Sequence, residues 1–269
     1  MITKEKFEEI CEEAYRNGVP REYRGAVLRE YIQCELLSIL YSLPGSERLG
    51  FIGGTALRLL WGLDRFSEDL DFDNLSDDKN AAFELFLQMI ERFSARGYAT
   101  RFPAKKKGEE YGGNLYIANI LYEFGLSPHR DQNLLIKLDY TTPPFRSPTT
   151  TRLLNRFGFL VHVVTEPREV LCARKLHALF ARPRTQPRDM YDIVWYFSHR
   201  IKPDLATLRN AGIDSYEILN AMIQEKMSSV SVVESMKSYE NDLVPIVIDP
   251  AHRKRIHDLP ALSAQFLQN

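Results

Sequence analysis

The chain has 269 residues, 44% of them hydrophobic and 26% charged, a balance that fits one large globular domain or two ordinary ones. A formal net charge of −1 and a pI of about 6.6 exclude a polycation, so any nucleic-acid contact has to come from a local patch. Cys11, Cys34 and Cys172 are scattered and form no CxxC pair, which excludes a zinc-ribbon pattern and a disulfide framework; no window is apolar enough to span a bilayer, and the expected location is the cytoplasm.

In chain order, residues 4–16 and 21–42 carry helical periodicity, the second with Val27, Leu28, Tyr31, Ile32, Leu36, Ile39 and Leu40 in phase. Pro44-Gly45 breaks the pattern. Residues 48–52 read as a short buried strand before Gly53-Gly54, and Thr55 is placed to cap a helix over 56–63. Residues 69–73 alternate Asp, Leu, Asp, Phe, Asp, so Leu70 and Phe72 face a core and Asp69, Asp71 and Asp73 face the other way. A helix follows over 79–96, then strands over 98–102, 114–124 and 133–140, with a hairpin turn over 105–111. The stretch TTPPFRSPTTT, 141–151, reads as an irregular loop or linker, and 158–164 as a last strand. From residue 167 the pattern is helical: 167–180, 187–198, 203–210, 215–227 and 229–238, with Leu205, Leu208, Ile218, Leu219 and Met222 as core. The order implies an α/β domain over 1–150 followed by a mainly helical domain over 151–269, the seam lying near 145–166.

Side chains at i and i+2 of a strand share a face, roughly 6–7 Å apart. Carboxylates at that spacing suit a divalent ion with a preference for oxygen, above all Mg²⁺, with Mn²⁺ as the other ion to consider. A third carboxylate normally comes from a neighbouring strand, and LLIKLDY offers one: Lys137 and Asp139 point one way, Ile136 and Leu138 into the core. A DxD by itself is common and reads equally as an acidic strand edge. Gly53-Gly54 at a strand-to-helix turn adds weight, because backbone without side chains can approach a phosphate at a helix N-terminus.

A second constellation is REVLCARKLHALFARPRTQPRDMYDIVWY, 168–196. Lys175 sits near the edge of the apolar stripe, where an ammonium can act as a point charge on phosphate. Asp189 and Asp192 share a helix face, and Arg188 is spaced to pair with Asp192, the plainer reading of those charges.

Three segments, GGTALRLLWGLDRFSEDLDF, IKLDY and ARKLHALFARPRTQPRDMYDI, resemble the AbiEii-like family of bacterial nucleotidyltransferases, toxins of abortive-infection and related toxin–antitoxin systems within the DNA-polymerase-β-like superfamily. The resemblance implies a mixed-sheet α/β core with flanking helices, followed by an α-helical C-terminal domain that completes the active site. Gly53, Gly54 and Thr55 match the triphosphate turn, Asp69 and Asp71 the metal-binding pair, Ser67 the serine beside it, Asp139 the third metal-binding carboxylate, and Lys175 the lysine of the third motif. Asp189 and Asp192 match the RDxxD aspartates, Asp192 as the catalytic one. Arg65 and Lys137 join the nucleotide-binding set, and Asp73 has no counterpart. The implied activity is Mg²⁺-dependent transfer of a nucleoside monophosphate from an NTP to an acceptor, the 3′ end of tRNA in some members, with a cognate antitoxin as partner. Two other readings stay open: the same chemistry on a protein or small molecule, and a non-catalytic nucleotide-binding module.

Overall fold

A computed structural model describes residues 1–78, 80–107 and 110–267. The chain forms two compact units: Met1–Gly62 with Phe66–Thr165, and Leu63–Arg65 with Glu166–Asn269.

The first unit is a mixed sheet with helices. Helix α1 (Lys4–Arg16) starts at Thr3, whose hydroxyl accepts the Lys6 N–H, and buries Phe7, Ile10 and Cys11. A 3₁₀ turn at Arg21–Tyr23 leads into α2 (Arg24–Leu40), which is buried on most sides and carries Glu30, Gln33 and Glu35 inward. Strand β1 (Leu49–Ile52) runs into α3 (Gly53–Trp61), which ends at Gly62 in the left-handed region. Then follow β2 (Leu70–Asn74), α4 (Ala81–Ala95), β3 (Thr100–Arg101), β4 (Ala104–Lys107), β5 (Glu110–Ile117), the single turn α5 (Ile120–Glu123), β6 (Leu134–Thr141), β7 (Thr150–Arg156) and β8 (Phe159–Thr165).

The sheet order is β3-β5-β6-β2-β1-β8-β7, with β4 continuing the outer edge along β5. Strand β2 pairs antiparallel with β1 and parallel with β6; β5 is antiparallel to β6, and β8 is parallel to β1. Leu70 and Phe72 of β2 are buried, and Phe72 packs against Phe51 of β1 and Phe86 of α4, which also meets Tyr140 of β6. Period-2 burial of these apolar side chains against α4 puts the aspartates of β2 on the opposite face.

The strand expected over 114–124 ends at Ile117, because Asn119 sits at φ 61° and turns the chain into α5. The loop expected over 141–151 is shorter, since β6 extends to Thr141 and β7 begins at Thr150. Strand β7 was invisible in the sequence because it is an edge strand whose one buried side chain is Leu154, so TTRLLNR has no alternation to read. Its turn to β8 is the pair Phe157-Gly158, both at positive φ, a two-residue hairpin written without the usual Asn-Gly. Of the hairpin turn expected over 105–111, residues 105–107 and 110–111 belong to the antiparallel strands β4 and β5, and 108–109 lie outside the described residues.

The second unit is helical among the described residues: α6 (Arg168–Ala181), α7 (Pro187–Ser198), α8 (Leu205–Asn210), α9 (Tyr216–Ser228), α10 (Val230–Leu243), a 3₁₀ stretch at Pro250–Asp258 and α11 (Leu259–Leu267). Pro187 opens α7, where its missing N–H costs nothing, and the side chains of Asp204 and Ser215 cap α8 and α9. The core stripe of α9 is Leu219, Ile223 and Met227; Ile218, expected in the core, is exposed one position off that stripe.

Candidate active site

In the first unit the glycine turn and the acidic strand meet. Gly53 begins α3 at φ 81°, a conformation that disfavours any side chain, and a Cβ there would lie 3.1 Å from the Asp71 Cβ and strike its carboxylate. The same register row runs from Ile52 on β1 through Asp71 on β2 and Asp139 on β6 to Gly112 on β5. A Cβ on Gly112 would strike the Asp139 carboxylate and lie 3.1 Å from the Leu138 carbonyl oxygen. Two neighbouring carboxylates, Asp71 and Asp139, are therefore flanked by two glycines that leave them room. Gly53 was legible in the sequence. Gly112 was not, because only strand pairing brings it beside Asp139.

Asp69 lies just before β2, and its approach is pinned from three sides. The Thr55 hydroxyl donates to the Asp69 carbonyl, and the Gln33 amide of α2 donates to the carbonyls of Ser67 (3.1 Å) and Glu68 (3.0 Å). Arg29 holds the Glu68 carboxylate at 2.7 Å. The cap expected from Thr55 is corrected: α3 starts two residues earlier, at Gly53, so Thr55 lies inside its first turn and its buried hydroxyl is turned to Asp69. Ser67 enters the site through its backbone in this network.

Lys137 forms an ion pair with Asp139. The hydrogen bond to Asp139 raises the lysine above its ordinary value against partial burial, helped by the charges of Asp139, Asp69 and Asp71. One ammonium thus lies in the combined field of the three aspartates singled out as metal ligands. Asp73 belongs to a different environment: it is buried, beside Gly50 and Thr141 in the sheet, and accepts the Thr141 hydroxyl at 3.2 Å.

Among the described residues no three His, Cys, Asp or Glu side chains converge as a ready metal cage. Mg²⁺ is commonly held by one or two carboxylates, with water and substrate phosphate filling the shell. The pair Asp71 and Asp139, half-buried and purely oxygen-donating with Asp69 close by, fits that mode of binding.

The second unit holds a buried chain of alternating charge. Arg65 is 2% exposed and donates from Nε and one Nη to both oxygens of Asp192, each at 2.7 Å. Lys175 Nζ lies 2.9 Å from Asp192 Oδ2 and 3.0 Å from Asp189 Oδ1, and Arg182 closes on the other oxygen of Asp189. Burial pushes the Asp192 carboxyl up, but Arg65 and Lys175 outweigh it and hold the group below its ordinary value. Burial likewise pulls the Lys175 ammonium down, and Asp192 and Asp189 reverse that to a net rise. The pairing of Arg188 with Asp192 is corrected: Asp192 faces the interior of its helix bundle, where Arg65 and Lys175 occupy it. Arg65, expected on phosphate, has its guanidinium fork engaged by Asp192.

Beside this chain, Asp64 accepts from the Tyr191 hydroxyl at 2.9 Å and lies 2.7 Å from His252 Nδ1. Neither Asp64 nor His252 was singled out from the sequence, since 188 positions separate them and neither sits in a spaced motif. Together Asp64 and Arg65 tie the segment Leu63–Arg65 into the helical unit, reinforced by a backbone bridge from Arg65 to Val247.

The mixed sheet is shared with solved structures. A protein from Helicobacter pylori, JHP933, matches with a TM-score of 0.54 at 18% identity, covering 90% of this chain and 92% of that one. A second Helicobacter pylori crystal structure, carrying a provisional nucleotidyltransferase assignment, matches with a TM-score of 0.54 at 18% identity over 90% of this chain and 95% of that one. At that identity the likeness establishes the fold, a mixed α/β architecture. No curated protein sequence matches the chain. Residues 36–260 match the family described as the nucleotidyl transferase AbiEii toxin of type IV toxin–antitoxin systems, and the chain belongs to that family. No helix among the described residues is long and apolar enough to cross a membrane.

Proposed function

We propose that this protein transfers a nucleoside monophosphate from an NTP to a hydroxyl acceptor, the 3′ end of tRNA, and that it does so as the toxin partner of a cognate antitoxin. The observation that carries the reading is the register of Asp71 with Asp139, between Gly53 and Gly112. Family membership supports a nucleotide substrate and an antitoxin. The tRNA acceptor comes from the motif resemblance.

In this reading Gly53 and Gly54 present the N-terminus of the nine-residue helix α3 to the triphosphate, where its unpaired N–H groups favour an anion. Thr55 and Gln33 keep the backbone of residues 67–69 in place, so that Asp69 and Asp71 hold a fixed relation to that turn. Asp69, Asp71 and Asp139 are the groups that would hold Mg²⁺ or Mn²⁺; a bound divalent ion supplies charge neutralisation of the triphosphate and polarisation of the α-phosphoryl oxygen. Lys137 of β6 offsets the charge of the acids and supplies a cation for the phosphates. Asp139 accepts the proton of the attacking hydroxyl as its oxygen bonds to the α-phosphorus, the α–β phosphoanhydride bond breaks and pyrophosphate leaves. Lys175, Asp189 and Asp192 carry their roles in the proposal from the motif they match. Such chemistry is mostly positioning and electrostatics.

The test is Asp71→Asn assayed with each radiolabelled NTP, Mg²⁺ and total RNA, followed by sequencing of labelled 3′ ends. Incorporation is expected to fall by at least about 100-fold with the melting temperature unchanged or raised, since a like-charge contact is removed. Wild-type incorporation by that variant overturns the assignment, and label in a protein fraction redirects the acceptor.

A further inference from the structure

Helix α7 ends in a way that ordinary helix chemistry does not favour. Its last turn closes with Ile201 N–H on the Tyr196 carbonyl and Arg200 N–H on the Phe197 carbonyl, both at 3.0 Å, the two-bond pattern of a Schellman cap. The left-handed position in that pattern is usually glycine. Here it is Arg200, at φ 55° and exposed. An arginine kept at a position that disfavours it for stability calls for a use of its side chain.

Arg200 lines a cavity of about 380 Å³, together with Ser198, Lys202, Leu262, Gln265 and Phe266, floored by the buried Phe197. Among the described residues no carboxylate lines it. Phe266 packs on Phe197 with ring centroids 5.7 Å apart, and Lys202 Nζ lies 5.6 Å from the Phe266 ring and 5.3 Å from that of Tyr216. Neither cation has a carboxylate partner among the described residues. The volume is in the range of small-molecule sites. Two cations with no acid beside them among the described residues favour an anion, an aromatic wall favours a flat ring, and the Ser198 hydroxyl offers a directional hydrogen bond.

We propose that this cavity in the helical unit binds a nucleoside 5′-phosphate unit, the phosphate on Arg200 and Lys202 and the base against Phe266. The unit comes either as a mononucleotide or as one residue of a single-stranded RNA, in which charge and stacking combine in the same way. The site stands independently of transfer chemistry at Asp71.

Hydrogen–deuterium exchange on the full chain tests it, in an Asp71→Asn background to prevent turnover. The probes are AMP, an oligoadenylate of about ten nucleotides, and inorganic phosphate as the control. Expected is protection of peptides covering 196–203 and 259–267 by AMP or the oligonucleotide and not by phosphate. Stronger protection by AMP assigns the site to a mononucleotide; affinity for the oligonucleotide at least about tenfold higher assigns it to RNA. Arg200→Gly should raise the melting temperature by about 2–4 °C while weakening the protecting ligand at least about tenfold. Lys202→Met should weaken it similarly. Absence of protection by both nucleotides, equal protection by phosphate, or unchanged affinity in Arg200→Gly each overturns the proposal.

Discussion

Gly112 is where the candidate site makes its most specific demand on a single residue. Its backbone is not in the left-handed region, so alanine is conformationally tolerable there, and what a methyl meets is the Asp139 carboxylate and the Leu138 carbonyl. Gly112→Ala is therefore expected to displace Asp139 with little cost to the fold: NTP incorporation drops at least about tenfold while stability changes by no more than about 1 kcal/mol. Parallel activity and thermal-melt measurements check this, and a variant that keeps full activity would remove Asp139 from the mechanism. Gly53→Ala differs in kind. It meets the Asp71 side chain and must also hold φ 81°, so it should lose activity and about 1–3 kcal/mol of stability together, measured by denaturant unfolding.

Helix α2 carries a load that its sequence does not advertise. Gln33 is buried in a helix otherwise read from its apolar stripe, and its amide holds two successive carbonyls of the segment that leads into β2. The strand's position along the sheet is set by pairing, but the placement of Asp69, one residue outside it, depends on Gln33 and on Thr55 of α3. Gln33→Leu is nearly isosteric and leaves those carbonyls without their donor, at a cost of about 1–3 kcal/mol. The kinetic signature expected is a fall in kcat, with KM for NTP moved less, because the glycine turn is untouched. A fall confined to stability would make Gln33 a core residue only.

At the scale of the whole molecule, each unit has its own electrostatic keystone, and in the helical unit it is Asp192. Arg65→Met takes from the buried Asp192 one of its two cations and leaves it the Lys175 ammonium, which Asp189 shares, so a cost of about 3 kcal/mol is expected at neutral pH, the low end for a broken buried ion pair. The sign of the pH dependence follows from the lowered Asp192 carboxyl. Its folded form holds the proton less tightly than its unfolded form, so its stabilisation is complete above the ordinary carboxylate value and is lost as pH falls through the lowered value. Thermal melts from about pH 6 to about pH 2 should therefore show an acid-side decline that is shallower in Arg65→Met. An equal slope in the two proteins would mean that other carboxylates dominate acid unfolding.

Local pattern determined a good deal. The alternation at 69–73 and at LLIKLDY told which side chains of β2 and β6 face the core, because a strand's period is a property of the backbone alone. The three motif segments told the family, which the match over residues 36–260 confirms. What the sequence could not hold was anything set by pairing at a distance. Asp71 meets Asp139 and Asp139 meets Gly112 only through the parallel and antiparallel registers of β2, β6 and β5. Arg65 meets Asp192 across 127 positions, which turned an expected phosphate contact into an internal ion pair and took Asp192 from Arg188. The hydroxyl of Thr55 was claimed by Asp69 rather than by its own helix for the same reason. Propensity and spacing act within a few residues; the partner of a buried charge is chosen by the packing that removes water from around it.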